Sequence, residues 1–333
     1  MIADIHTSLT RIADLEERPY EIEPRPRGEW ERGEYVFARV VQRPNPGVTI
    51  ENTHGRHVEL MEGETIVSAL GTRKATRGMV GSWRDIGDDH RMAAMTYGGV
   101  LGKVTSASPF SRSPIELEYE GHVLTDGDPA RMDDYAVTAE PTPLETPVVL
   151  VLGTSMSAGK TMSGRVITHV LAENGYEVAA CKLTGAGTYG DVLSMQVAGA
   201  DPIYDFVDAG LPTTVVPEAT FRDAIRPVLY RMQEADVIVA EVGASPLEPY
   251  NGEAVVDILD EQVAFTALCA TDPYAVVGIE EAFGCAPDLV AGIATNTTAG
   301  IDLIERLTDC SALNLQQEET KGSLEGMLLE ALR

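Results

Sequence analysis

Lysine is scarce in this chain of 333 residues. Of 25 basic residues only Lys74, Lys103, Lys160, Lys182 and Lys321 are lysines, against 52 acidic residues, and the net charge is -27. A surface of that sign repels the phosphates of nucleic acids and of anionic membranes, so neither is expected as a partner through a broad basic face. An acid-rich, lysine-poor globular chain fits a halophilic protein, in which concentrated cations screen the self-repulsion.

Cysteine is also sparse. Cys181, Cys269, Cys285 and Cys310 are dispersed without a Cys-x-x-Cys pair, which argues against a disulfide scaffold and for free thiols in a reducing compartment. No stretch reaches the ~18 apolar residues of a membrane span, and Met1 to Glu17 is charged and lacks the apolar core of a signal peptide. A soluble, cytoplasmic protein is expected, and a homo-oligomer. Internal repeats, low-complexity tracts and a Gly-x-Ser-x-Gly nucleophile elbow are absent too.

A glycine-rich loop is present. Pro147 to Leu152 is an apolar run, Gly153-Thr154-Ser155-Met156-Ser157-Ala158-Gly159-Lys160-Thr161 follows it, and a helical pattern follows that. Strand, glycine-rich loop, helix is the order of a phosphate cradle, in which backbone N–H groups converge on phosphate oxygens and small residues keep the approach open. Gly153, Thr154, Ser155, Ser157, Ala158 and Gly159 would line it. Lys160 would supply a mobile positive charge for the outer phosphates and the Thr161 hydroxyl an Mg²⁺ ligand. The common pattern G-x-x-x-x-G-K-[ST] would place glycine at 154, whereas this chain has it one position earlier.

The length favours two domains. Up to about residue 145, short β-rich runs at Tyr35 to Gln42, Thr65 to Leu70, Gly99 to Ser106 and Ile115 to Leu124 are separated by Gly, Pro and Asp, a sheet or small-barrel pattern. Residues 139 to 146 are rich in Pro and Thr and read as a linker. From 146 to 333 strands are expected at Val148 to Leu152, Glu177 to Leu183, Val237 to Glu241, Phe265 to Ala270 and Leu289 to Thr295. Helices are expected at Lys160 to Asn174, Asp191 to Ala198, Ala219 to Glu234, Pro273 to Phe283 and Gly300 to Thr308. The fold class is therefore α/β: a mostly parallel sheet bearing the phosphate loop, preceded by a smaller β-rich domain.

Ligands of such sheets collect at the carboxyl ends of strands. Lys182 closes the second strand and Asp191 opens the helix after it, so both can face the cradle. The third strand runs out through Glu241 into a loose loop containing Gly243 and Gly252, the position from which a carboxylate holds a metal beside phosphates. Mg²⁺ prefers oxygen ligands, and Thr161, Glu241 and Asp191 offer them. Asn296, beyond the fifth strand, carries an amide that can pair with a purine edge. His54 and His57, with Glu51 and Glu59 nearby, are discounted as a metal site, because residues three apart on a strand point to opposite faces.

The Gly153 to Thr161 loop, Lys182, Asp191, Glu241-Val242-Gly243 and Gly292-Ile293-Ala294-Thr295-Asn296 resemble the successive motifs of the dethiobiotin synthetase family, a P-loop family whose loop has this same spacing. The resemblance covers residues 147 to about 310. It implies ATP and Mg²⁺ at the cradle, with Lys160, Thr161, Asp191 and Glu241 as phosphate and metal residues, and Lys182 near the substrate or the transferred phosphoryl group. Val242 stands where that family has Gly and Leu183 where it has Pro, both beside the substrate region. Asp205 to Gly210 and Pro249 to Gly252 are similar to stretches in another P-loop family, which includes D-glutamate N-acetyltransferase.

Three functions remain open. The first is an ATP- and Mg²⁺-dependent, ligase-like enzyme that activates a carboxylate or carbamate by phosphoryl transfer for attack by an amine, with Lys160, Lys182 and Glu241 as its catalytic residues. The second is an acyl-CoA-dependent N-acyltransferase acting on an amino acid, since the pyrophosphate of coenzyme A presents the same anionic oxygens. The third is a nucleotide-switched regulator.

Overall fold

Val36, Ala38 and Val40 alternate along a strand at Tyr35–Val40 and turn toward one core. Met92 and Ala94 do the same on Arg91–Ala94, and Ile115, Leu117 and Tyr119 on Ile115–Thr125. This two-residue period puts one face of each strand into a shared core, and on Tyr35–Val40 the opposite face, with Tyr35 and Phe37, is buried as well. In the computed structural model, which describes every residue except Met1, Arg43 and Cys285, these strands belong to the first of two units. It comprises residues 1–138, 186–190 and 206–217; the second comprises 139–185, 191–205 and 218–333.

The sheet of the first unit runs in the order Ile5–His6, Thr65–Ala69, Tyr35–Val40, Ile115–Thr125, Arg91–Ala94, Leu101–Ala107, Met79–Ser82, Thr72–Lys74. Its two ends are almost the same piece of chain. Thr65–Ala69 passes through Leu70 and Gly71 into Thr72–Lys74; Leu70 bridges to Leu101, and the Gly71 N–H donates to the Leu101 carbonyl at 2.9 Å. The wall thereby curls round on itself as a small barrel, filled by Val36, Ile66, Leu101, Leu117 and their neighbours.

The second unit holds a seven-stranded sheet among the described residues, all neighbours parallel. In chain order its strands are β1 (Val148–Gly153), β2 (Val178–Thr184), β3 (Ile203–Asp205), β4 (Val237–Val242), β5 (Val263–Cys269), β6 (Leu289–Ala291) and β7 (Ser311–Ala312), arranged spatially β3-β2-β4-β1-β5-β6-β7. The helices are α1 (Lys160–Glu173), α2 (Tyr189–Val197), α3 (Glu218–Tyr230), α4 (Gly252–Leu259), α5 (Pro273–Phe283), α6 (Thr298–Leu307) and α7 (Lys321–Ala331). Every residue of β1, β2 and β4 is buried, as continuous apolar runs in a sheet covered on both faces must be. β1 lies between β4 and β5. The connections from β1 and from β4 leave in opposite directions, which puts the crevice for a ligand at the carboxyl ends of β1, β4 and β2.

The α/β class and the β-rich segment before it are as the sequence implies. Differences lie at the ends of elements. The strand expected at Leu289 to Thr295 stops at Ala291, where Gly292 turns at φ 87° into a short 3₁₀ turn over Ile293–Thr295. The helix expected to reach Glu234 ends at Tyr230, three residues past Pro227, whose missing N–H weakens the ladder there.

Candidate functional site

The loop between β1 and α1 is shaped by left-handed residues. Ser157 has φ 64° and Gly159, immediately before the first helical residue Lys160, has φ 105°. A left-handed, non-glycine serine is a strained position of the kind found where successive N–H groups are gathered into an anion-binding nest. The N-terminus of α1 has no side-chain cap, so its first N–H groups and the positive end of the helix dipole are left to a ligand.

Close packing fixes the glycines. A Cβ on Gly153 would stand 2.6 Å from Cδ and 2.9 Å from Nζ of Lys160. The lysine stem lies along Gly153, and its ammonium donates to the Ser155 carbonyl at 2.8 Å. The shifted glycine of the sequence therefore has a physical reason: position 153 underlies the lysine. On the far side a Cβ on Gly292 would meet the Ala158 carbonyl at 2.2 Å, and the Ile293 N–H donates to that carbonyl at 3.2 Å. Thr154 ties the loop to the end of β5: its N–H donates to Cys269 O at 2.9 Å, and its hydroxyl accepts from the Thr271 N–H at 3.2 Å.

Beside this loop, side chains from two strand ends and two helix starts meet. Lys182 on β2 is ion-paired with Asp191 of α2. The Thr161 hydroxyl lies 3.4 Å from Asp191 Oδ1 and 3.5 Å from Glu241 Oε1. Glu241 is 2 % exposed, and its second oxygen, Oε2, is buried with no hydrogen-bond partner among the described residues. The neighbouring Thr184 hydroxyl is buried and unpartnered as well. Buried polar groups in folded proteins are overwhelmingly satisfied, so each such exception asks for a missing partner.

The charges are mutually dependent. Burial pushes the Lys160 ammonium below its usual range, with Glu241 opposing. Burial acts the same way on Lys182, but Asp191 and Glu241 outweigh it and hold that lysine well above its usual range. Burial raises Glu241 above the ordinary carboxylate range, with Lys182 and then Lys160 pulling it back. The Cys269 thiol is pushed up to about 11, mainly by burial, and is no nucleophile at neutral pH. Cys181, Cys269 and Cys310 are free thiols, while Cys285 lies outside the described residues.

Thr161, Asp191 and Glu241 thus bring hard oxygen donors together, Glu241 with a further oxygen, Oε2, that has no partner among the described residues, and that set fits Mg²⁺. Asn296 is placed differently from its expected strand end. It follows the 3₁₀ turn, is exposed, and its N–H donates to Ile293 O at 3.1 Å. His57 is exposed, and the Glu51 carboxylate accepts the N–H groups of Tyr189 and Gly190 at 2.7 and 2.8 Å; no cluster of three or more metal-ligating His, Cys, Asp or Glu residues occurs among the described residues. Thr184, Thr271 and the seat made by Gly292 escape sequence reasoning, because each gains its meaning only from residues distant along the chain.

Strand, nest, lysine and helix in this order, with an acidic residue on the adjacent strand, define the second unit as an α/β fold of the P-loop type. Among solved structures the chain is similar to the signal recognition particle receptor FtsY from Elizabethkingia anophelis, at 13 % identity over 59 % of this chain and 67 % of that one, TM-score 0.37. The signal recognition particle 54 kDa protein from Aeropyrum pernix, in complex with GDP, matches at 14 % identity over 58 % of this chain and half of that one, TM-score 0.34. A DUF1611 family protein from Anabaena variabilis matches at 16 % identity over 59 % of this chain and 62 % of that one, TM-score 0.36. Likeness at this level extends to no ligand or activity. No protein-family model matches the sequence, and no curated protein does. No helix among the described residues is long and apolar enough to cross a membrane.

Proposed function

We propose that the protein is an ATP- and Mg²⁺-dependent, ligase-like enzyme that activates a carboxylate or carbamate by phosphoryl transfer and lets an amine displace the phosphate. The observation that carries this reading is the convergence of two buried lysines, Lys160 and Lys182, with Thr161, Asp191 and Glu241 beside a loop shaped for phosphate. Phosphoryl transfer asks a protein chiefly for positioning and for positive charge where negative charge moves, and these residues supply both.

An acceptor carboxylate oxygen attacks the γ-phosphorus, the bond from phosphorus to the β-bridging oxygen breaks, and ADP leaves with the electron pair. The amine then attacks the acyl carbon, the C–O bond to phosphate breaks, and the nitrogen loses a proton to solvent. Loop N–H groups and Lys160 hold the phosphates, while Lys182 balances charge between the γ-phosphate and the acceptor. Thr161, Asp191 and Glu241 would hold Mg²⁺, which would neutralise phosphate charge when bound. Asn296 is the residue we assign to the purine edge.

Calorimetry and thermal shift with ATP, GTP and acetyl-CoA, each with and without Mg²⁺, test the reading. A ligand at one hundred times its Kd should stabilise the fold by about 2.7 kcal/mol. ATP with Mg²⁺ is expected to give the largest shift, and Lys160→Ala to abolish it. A shift with acetyl-CoA and none with ATP would transfer the site to an N-acyltransferase of amino acids. Slow hydrolysis without any acceptor, together with a nucleotide-dependent change of oligomer size, would make it a regulator.

A further inference from the structure

Lys182 has an unusual setting for a residue that is to meet a substrate. Along the parallel ladder its register partner on β4 is Glu241, and on β3 it is Asp205. Partners in register point to the same face of a sheet, so the ammonium lies in a row of acids and is also paired with Asp191 at the start of α2. Lys182 is 6 % exposed. Its stem runs in a slot walled by glycine, since a Cβ on Gly243 would stand 2.7 Å from Lys182 Cε and one on Gly185 3.4 Å from it. Asp191 and Glu241 are the same carboxylates that would hold the metal.

We propose that the Lys182 ammonium is an internal counterion for this carboxylate pair, standing in for the divalent cation until a phosphate group arrives to draw the lysine away. The proposal rests on the phosphate-site reading given above. Glu241 is buried and Asp191 partly so; without a cation the two carboxylates would repel each other more strongly than in water, and the lysine removes that cost. A divalent cation placed on Asp191 beside the ammonium would in turn be repelled. The nucleotide-free protein is therefore a poor divalent-cation binder. An incoming phosphate offers Lys182 an alternative anion, which frees Asp191, so phosphate and metal bind with positive coupling, each strengthening the other by the same factor.

The test needs no turnover. Mn²⁺ alone, titrated into nucleotide-free protein and followed by electron paramagnetic resonance, should bind weakly to the wild type and about tenfold or more tightly to Lys182→Met, a gain of about 1.4 kcal/mol or more. Adding Asp191→Asn to that variant should erase the gain. A folded Lys182→Met protein that binds Mn²⁺ no more tightly than the wild type overturns the proposal, because a merely structural ion pair predicts lost stability and no gained affinity. Should that variant fail to fold, the wild type labelled with [ε-¹³C]lysine serves. The Lys182 resonance, assigned through Lys182→Arg, is expected to shift with Mg²⁺ and inorganic pyrophosphate together and little with Mg²⁺ alone; an unmoved resonance overturns the proposal. Pyrophosphate is the part that ATP and coenzyme A share. Failure of the ATP reading, seen as stabilisation by acetyl-CoA and not by ATP, leaves both results intact.

Discussion

Buried carboxylates in the two units are treated in opposite ways. In the β-rich unit Glu34 is 3 % exposed and has partners at both oxygens: Oε2 accepts the Glu31 N–H at 2.6 Å and lies 3.1 Å from His122 Nε2, and Oε1 is ion-paired with Arg25 at 3.8 Å. Both Glu51 oxygens accept backbone N–H groups. In the α/β unit Glu241 is as deeply buried, yet one of its oxygens has no partner among the described residues. A saturated carboxylate is a fastening. An unsaturated one, held at a strand end beside two lysines and an uncapped helix, carries a cost in the free protein. Under the proposed function, the contrast separates residues that keep a fold from residues kept for a ligand.

The largest effect should come from crowding the waiting side. Gly153→Ala would drive a methyl group into the Lys160 stem, 2.6 Å from Cδ, and isothermal calorimetry is expected to show roughly a hundredfold loss of nucleotide affinity, as for a misplaced charge in a preorganised site, with the melting midpoint changed little. Retained affinity would mean that Lys160 can lie elsewhere. Gly243→Ala is harsher on the fold, because its Cβ would stand 2.1 Å from the backbone carbonyl of Thr184; chemical denaturation should show a loss of about 1–3 kcal/mol.

On the fastened side, Glu34→Gln should lower stability by about 1–3 kcal/mol at pH 7. Burial alone would raise the Glu34 carboxyl, but the bonds from His122 and the Glu31 N–H, with Arg25, more than reverse it and hold it below the ordinary range. Its contribution is therefore complete above the usual glutamate pKa and is lost as pH falls through the lowered value. The difference between wild type and variant should vanish in acid, and a difference independent of pH would contradict the assignment. The smallest effect expected is Thr154→Ala, which removes the acceptor of the Thr271 N–H and should cost about 1 kcal/mol or less. Separately, with a net charge of -27, molar KCl should raise the melting midpoint of the whole chain.

Legibility in the sequence follows the same division between local and distant causes. The apolar run before Gly153 and the helical pattern after Lys160 announce β1, the loop and α1, since each is set by neighbouring residues. The β-rich runs at Tyr35, Thr65 and Ile115 are legible from their two-residue period. The strands Ile203–Asp205 and Ser311–Ala312 are too short to show any period. α4 and α7 were not anticipated either, the first opening behind Asn251 at φ 63° rather than at a recognisable cap. Lys182 and Asp191, nine residues apart, are paired with each other, a contact that spans a strand end and a helix start. The glycine seats at 153, 243 and 292 are visible only when the residues they face are in place, and the closing of the barrel depends on the single bridge from Leu70 to Leu101.

That closing has a practical consequence. A wall tied across by the Leu70–Leu101 bridge resists a register slip when one of its connections is lengthened. The turn between Leu101–Ala107 and Ile115–Thr125 carries Phe110 at 97 % exposure, so it is a place to graft an epitope, a fluorophore or an affinity tag while leaving the phosphate loop of the other unit untouched in sequence.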